Sequence, residues 1–349
     1  MTRLYQRSWT RQELLGHIGD IGQLGGIRLF TLAEGPERGV RAAELRTAAG
    51  LRFTVYLDRG MDIGPAEYRG IPLAWISPTG PAAPAFYDPQ GSGWLYSFHG
   101  GLLTTCGLTQ VGPPGDDDGE HLGLHGRISN IPARQVSQGD AWEGDTYIFW
   151  IEGRMRETSV FGHNLELKRR ISAQLDEPRL AIEDQVTNMG DAPSPHMILY
   201  HINLGFPLLQ AESRLIAPSE EVIPRDEVAA QGIDQHTHFH APIPRYAEQV
   251  FFHRMRAESD GYVRVVVVNQ AFKLGLQLRY RQQELTEFTQ WKQMGWGTYT
   301  LGIEPGNCRS EGRLAARRRG ALVEIAPGQQ FNYRVELSML SDEELDELI

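Results

Sequence analysis

The chain has 349 residues, 34 of them basic and 44 acidic, for a net charge of −10 with histidine neutral; 41% are hydrophobic and 22% charged. That composition is ordinary for a globular protein. The acidic balance argues against a nucleic-acid partner, which needs a basic surface, and no window approaches the roughly 18 consecutive apolar residues of a membrane span.

The first residues, Met1 to Gln6, lack a basic stretch followed by an apolar run, so no signal peptide is expected. Two cysteines, Cys106 and Cys308, are too few for a disulfide framework in a chain of this length, which points to the cytoplasm. The 38 glycines and 20 prolines exceed average usage without forming low-complexity tracts, and so predict many turns between many short strands. This punctuation is spread evenly and offers no linker, so residues 1–349 are expected to form one domain.

In chain order, Thr10 to Glu13 carries a capping-box pattern that predicts a short helix through Leu15. Leu51–Leu57, Asp145–Ile151, Leu165–Ile171 and Leu180–Val186 alternate between apolar and polar residues as half-buried strands do. Val263–Asn269 is a continuous apolar run suited to a strand buried on both faces. Thr298–Glu304 and Phe331–Met339 close the series, and a second capping box at Ser341 opens a final acidic helix. With no βαβ alternation, repeat or heptad, the expected fold class is all-β: a large antiparallel β-sandwich with short capping helices.

No phosphate-binding turn, paired-cysteine motif or nucleophile elbow is present. The two cysteines have no activating neighbours and are expected to be buried and inert. The acidic turn from Gly115 to Glu120 lacks the ligand spacing of a calcium loop and is expected to be solvated. Chemistry is sought instead among polar residues set in apolar strands. Asp58-Arg59-Gly60-Met61-Asp62 places an arginine between two aspartates at a strand end, where Arg59 either orients ligand hydroxyls or serves a structural ion pair. Gly123 to Asn130 holds His125 and Arg127 in a glycine-flanked loop that permits close backbone approach to a ligand, or is simply a tight polar turn.

On the strand Ile198–Leu204, His201 and Asn203 share the face opposite Ile198, Tyr200, Ile202 and Leu204. Two polar side chains there need either each other or a ligand. If Gln235–His240 is a strand, His236, His238 and His240 share one face at a spacing able to chelate a transition metal. Glu304 ends its strand beside Gly302, whose missing side chain leaves room for something small. Burial there would raise the carboxyl towards the working range of a general base. Trp291, Trp296 and Tyr299 precede it as candidate sugar-stacking aromatics or as core.

His125 in LHGRISN, His201 in YHINLGFP and Glu304 in GIEPGN resemble, in order and rough spacing, the motifs of the aldose 1-epimerase (galactose mutarotase-like) superfamily. Asp58 to Pro78 resembles its uncharacterised bacterial DUF4432 branch. The resemblance implies a β-supersandwich and an isomerase that opens and recloses a sugar ring, with no cofactor and a small carbohydrate as partner. It implies Glu304 as the base on the C1 hydroxyl, His201 as the acid on the ring oxygen and His125 as a further catalytic group. Arg59, Asp62, Arg127, Asn203, His240 and Trp291 are the candidate substrate-binding residues. Arg127-Ile128-Ser129-Asn130 departs from the glycines and aromatic usual after the LHG segment, so the resemblance does not by itself carry galactose or glucose over as the sugar. Two other readings stay open: a metal-assisted sugar isomerase built on His236, His238 and His240, and a non-catalytic carbohydrate-binding module. The sequence fixes neither the sugar nor the oligomeric state.

Overall fold

The computed structural model describes residues 1–348. Three antiparallel sheets dominate it. The first has eight strands, in the order Arg134–Glu143, Thr146–Thr158, Asn164–Gln174, Arg179–Asn188, Gln330–Met339, Leu274–Arg281, Tyr262–Asn269 and Ser213–Ile216. The second has six, in the order Ser219–Pro224, Gln249–Met255, Glu287–Met294, Tyr299–Gly306, Met197–Leu204 and Thr104–Leu108. The third runs from Gly26–Thr31 through Arg41–Arg46, Leu51–Tyr56 and Asp62–Tyr68 to Ile71–Pro72. The all-β antiparallel expectation holds, and every strand expected from alternation lies within an observed strand or one residue beyond it.

Alternation decides which face of each strand meets which core. Ile198, Tyr200, Ile202 and Leu204, together with Leu301 and Ile303, join a large cluster that also takes in residues of the eight- and five-stranded sheets. Met197 and Leu199 point the other way, into a smaller cluster with Trp94, Phe98, Cys106, Val111 and Cys308. His201 and Glu304 share that second side. The six-stranded sheet therefore has one face against the main core and one that carries the polar residues.

Val263–Asn269 is buried on both faces for a reason local to the chain end. Val263, Val265 and Val267 face the main core, while Val266 and Val268 are covered by Leu340 and by Leu345 of the C-terminal helix Asp342–Leu348. That helix covers part of a sheet face. Both capping boxes form: Thr10 and Glu13 bond each other's backbone, as do Ser341 and Glu344. No helix among the described residues is long and apolar enough to cross a membrane.

Candidate active site

The register of the six-stranded sheet assembles the site. Asn203 pairs with Gly302 and Ile202 with Ile303, which sets His201 opposite Glu304. Glu304 pairs in turn with Thr289, and His201 with Thr104. Residues about a hundred positions apart thus become neighbours in one row of side chains, spaced by the ~4.8 Å between strands. His201 Nε2 lies 3.2 Å from Glu304 Oε1. The pair is off the hydrogen-bonding direction, which leaves Glu304 Oε1 buried without a partner; His201 Nδ1 is likewise buried and unpartnered.

Gly302 is essential to this arrangement. The room its missing side chain leaves is filled by the glutamate itself, since a Cβ there would overlap Glu304 Oε1 and come within 2.9 Å of Trp291 Cβ. His125 arrives from a separate loop in a left-handed conformation, φ 56°, which costs a non-glycine residue about 1–2 kcal/mol. Its backbone is held on both sides, the N–H donating to Gly112 O at 2.9 Å and the carbonyl accepting from Gly107 N at 3.0 Å. Gly126, also left-handed, lies against the Gly107 and Gln110 carbonyls, where a Cβ would not fit. The Gly112 N–H points at His125 Nδ1, 3.4 Å away. A backbone amide can only donate, so Nδ1 is the acceptor and the proton of the neutral ring sits on Nε2.

Around these three side chains is a cavity of about 560 Å³, lined also by Trp94, Phe98, Arg225, Glu248, Thr289 and Trp291, within the usual size of small-ligand sites. A larger hollow of about 1010 Å³ lies elsewhere, between the chain termini, and contains none of the candidate catalytic groups. The aromatic wall is continuous. Trp94 stacks on Phe98 at 4.4 Å, Phe98 lies 5.4 Å from the His201 ring, and Trp291 meets that ring edge-on at 5.2 Å.

Burial sets the protonation states. It pushes the Glu304 carboxyl well above the usual carboxylate range, with the nearby charge of Glu248 acting in the same direction. It lowers His201 to about 3, helped by His125, and His125 to about 4. Losing the Glu304 proton would leave a buried anion, and adding one to His201 a buried cation. The pair therefore holds one proton over a wide pH interval.

Of the expected substrate-binding residues, Trp291 lines the cavity and the other five do not. Arg59 is buried and spends its guanidinium on three backbone carbonyls, Ser129 at 2.9 Å, Ala82 at 2.7 Å and Ser97 at 2.8 Å, so it pins loops together. Asp62 is buried on the opposite side of the Met197–Leu204 strand, accepting from Thr105 and Arg169. The Arg127 side chain is exposed outside the cavity. Asn203 neighbours His201 but turns its amide to the carbonyls of Gly101 and His201. His240 bonds the Ala241 carbonyl at 2.7 Å, away from the cavity.

The three-histidine face does not form, because the segment is not a strand. Residues Ile233–Gln235 make a 3₁₀ turn, and the carbonyls that follow are captured by side chains. Lys292 Nζ takes those of Gln235 and His238, both at 2.7 Å, Gln290 that of His236 and the Tyr299 hydroxyl that of His240. Among the described residues no group of three or more His, Cys, Asp or Glu is placed to hold a metal. In the acidic turn, Asp117 is bound by Arg313 and Arg317 rather than left to solvent.

Sequence reasoning missed Trp94, Phe98, Arg225, Glu248 and Thr289. Arg225 and Glu248 flank a long excursion between two adjacent strands and close on each other at 3.0 Å, while Glu248 also accepts from Trp291 Nε1 at 2.8 Å. Only the register could have revealed Thr289, which needs the pairing of its strand with the strand of Glu304.

Comparison with known proteins agrees with this architecture. The structure superposes on an enzyme from Klebsiella pneumoniae provisionally assigned as an aldose 1-epimerase, with a TM-score of 0.88 at 25% identity over 94% of this chain and 88% of that one. A galactose mutarotase-like protein from Clostridium acetobutylicum matches with a TM-score of 0.62 at 12% identity over 91% and 99% of the two chains. Galactose 1-epimerase from Lactobacillus acidophilus matches with 0.57 at 11% over 90% and 99%. Those two likenesses establish a galactose mutarotase-like β-sandwich. No curated protein sequence matches the chain. The model of the family described as a domain of unknown function, DUF4432, matches residues 37–339, and the chain belongs to that family.

Proposed function

We propose that the protein is a carbohydrate epimerase of the mutarotase type, interconverting the anomers of a free aldose. The observation that carries this reading is the buried Glu304–His201 pair, 3.2 Å apart and holding unpartnered polar atoms in the wall of an aromatic-lined cavity. Ring opening needs a proton removed from the C1 hydroxyl while another is delivered to the ring oxygen. Sugar binding moves the pair's proton from Glu304 across the 3.2 Å to His201 Nε2; the Glu304 carboxylate then takes the first proton and the His201 imidazolium gives the second. The C1–O5 bond breaks as the C1–O1 bond becomes a carbonyl, and rotation about C1–C2 presents the other face. Reclosure returns both protons. The pair begins and ends with one proton, so no cofactor enters the balance. His125, with its proton on Nε2, donates a hydrogen bond to a ring oxygen or hydroxyl.

A neutral sugar suits the cavity better than a sugar acid. Arg225 is the lone lysine or arginine among the described lining residues, and it is already engaged by Asp226 and Glu248. Glu248, Glu304 and Glu311 also line the wall, and a substrate carboxylate would meet them without a free cation.

The test follows freshly dissolved α-D-galactose and α-D-glucose to anomeric equilibrium by polarimetry or ¹H NMR, with and without enzyme. Acceleration by the parent and its loss in Glu304→Gln is the expected result. A Glu304→Gln variant as fast as the parent would overturn the assignment.

A further inference from the structure

We propose that Thr289 reads the hydroxyl on C2 of the sugar, so that the enzyme discriminates against 2-deoxy sugars. This rests on the mutarotase reading and deepens it. Thr289 is 1% exposed and lines the cavity, yet its Oγ1 has no hydrogen-bond partner in the protein. A buried hydroxyl without a partner is disfavoured, and a valine would fill the same volume without that cost, so the free hydroxyl points to a ligand. Apart from the catalytic pair, it is the cavity-lining side chain among the described residues with such an orphaned atom.

Its place in the sheet says which part of the ligand it meets. The row across the strands runs His201, Glu304, Thr289. In a pyranose, C1 is bonded to O5 on one side and to C2 on the other. With His201 at O5 and Glu304 at the C1 hydroxyl, the next side chain in the row lies on the C2 side. A threonine hydroxyl both donates and accepts, so it takes an equatorial or axial C2 hydroxyl in either hydrogen-bonding sense. A 2-deoxy sugar offers Oγ1 no partner and gains nothing there.

The experiment compares kcat/KM for D-galactose against 2-deoxy-D-galactose, and for D-glucose against 2-deoxy-D-glucose, in the parent and in Thr289→Val and Thr289→Ser. The parent is expected to prefer the 2-hydroxy sugars by about tenfold, the effect of one buried hydrogen bond. Thr289→Val should bring each ratio close to one by slowing the 2-hydroxy sugar alone, and Thr289→Ser should restore it. An unchanged ratio in Thr289→Val, or equal losses on both sugars, would refute the proposal. A parent inactive on all four sugars fails the mutarotase reading instead. The same ratios, taken from dissociation constants by calorimetry, then decide on Thr289: a preference abolished by Thr289→Val supports it, and equal or absent binding refutes it.

Discussion

The strand Met197–Leu204 has a polar cluster on each face, and the two are built differently. On the main-core face Tyr200 donates to Asp184 at 2.7 Å, Arg169 makes a two-pronged contact with Asp184 at 2.6 and 2.9 Å, and Asp62 Oδ1 gathers Arg169 and Thr105. Asp62 Oδ2 is the one atom there left over. On the cavity face, one residue further along, His201 Nδ1, Glu304 Oε1 and Thr289 Oγ1 are buried and unpartnered. Both clusters are desolvated. The first pairs all its polar atoms but Asp62 Oδ2 within the protein. The second holds its polar atoms unpartnered beside the cavity. Burial of a polar residue does not by itself mark a site; the absence of an internal partner next to a cavity does.

The sharpest break between the two faces is expected in catalysis. Glu304→Gln keeps the shape of the side chain and removes the base, and should cost a factor of about 10² to 10⁴ in kcat. Its melting temperature should equal or exceed that of the parent, because the carboxyl it replaces is held above its ordinary range by burial. Arg169→Met on the other face should do the reverse. It leaves Asp184 and Asp62 buried without their cation, a loss of about 3–5 kcal/mol seen in urea unfolding, while the kcat of the protein that remains folded changes little. If Glu304→Gln destabilised as much as Arg169→Met, the contrast between open and closed clusters would be wrong.

Gly302→Ala is a smaller test of the same idea. The added methyl would overlap Glu304 Oε1 and press on Trp291, moving the base without changing its chemistry. A displacement of about 1 Å in a reacting group is worth about a hundredfold, so kcat should fall by up to that amount with the cavity otherwise intact. Full activity in Gly302→Ala would mean that the carboxylate works from a different position.

How much of this was legible beforehand follows from what each signal depends on. Strands and their faces are local, and the alternation in Leu165–Ile171 or Ile198–Leu204 survives because each residue's burial follows the period of two. Glu304 and His201 stood out as polar residues in apolar strands, and their meeting required only that the two strands pair. The failures all turn on partners distant in sequence. Arg59 looks like a ligand-binding arginine until the carbonyls of Ala82, Ser97 and Ser129 surround it. Asp62 looks available until Arg169, more than a hundred residues away, reaches it. The alternating histidines of Gln235–His240 imitate a strand, but Lys292, Gln290 and Tyr299 seize its carbonyls and curl it. In each case hydrogen-bond partners distant in sequence won over the local pattern.

The smallest effect expected is a separation of activity from stability as the pH falls. An unperturbed histidine titrates near 6.5, so a site that used exposed histidines would lose or gain rate there. His201 and His125 are lowered to about 3 and about 4 by burial. Neither takes up a proton between pH 7 and 5, and Glu304, raised well above its ordinary value, keeps the proton of the pair. The enzymatic rate, corrected for the solvent's own catalysis, should be level through 6.5 and decline only towards pH 4. Stability moves differently. The same two histidines, with His196 lowered to about 4 and His253 to about 3, stay neutral when folded but bind protons near 6.5 when unfolded. Protonation of the unfolded chain therefore draws the equilibrium away from the fold below pH 6.5 and stops adding only near the folded values. Glu304 works against this, since its folded carboxyl holds a proton the unfolded one has lost, but four histidines outnumber it. The melting temperature should drop by several degrees between pH 7 and 5 while turnover per folded molecule does not change. A rate that titrates near 6.5 would show His201 or His125 open to solvent in the working enzyme, and the cavity face would then no longer be the desolvated counterpart of the Arg169 cluster.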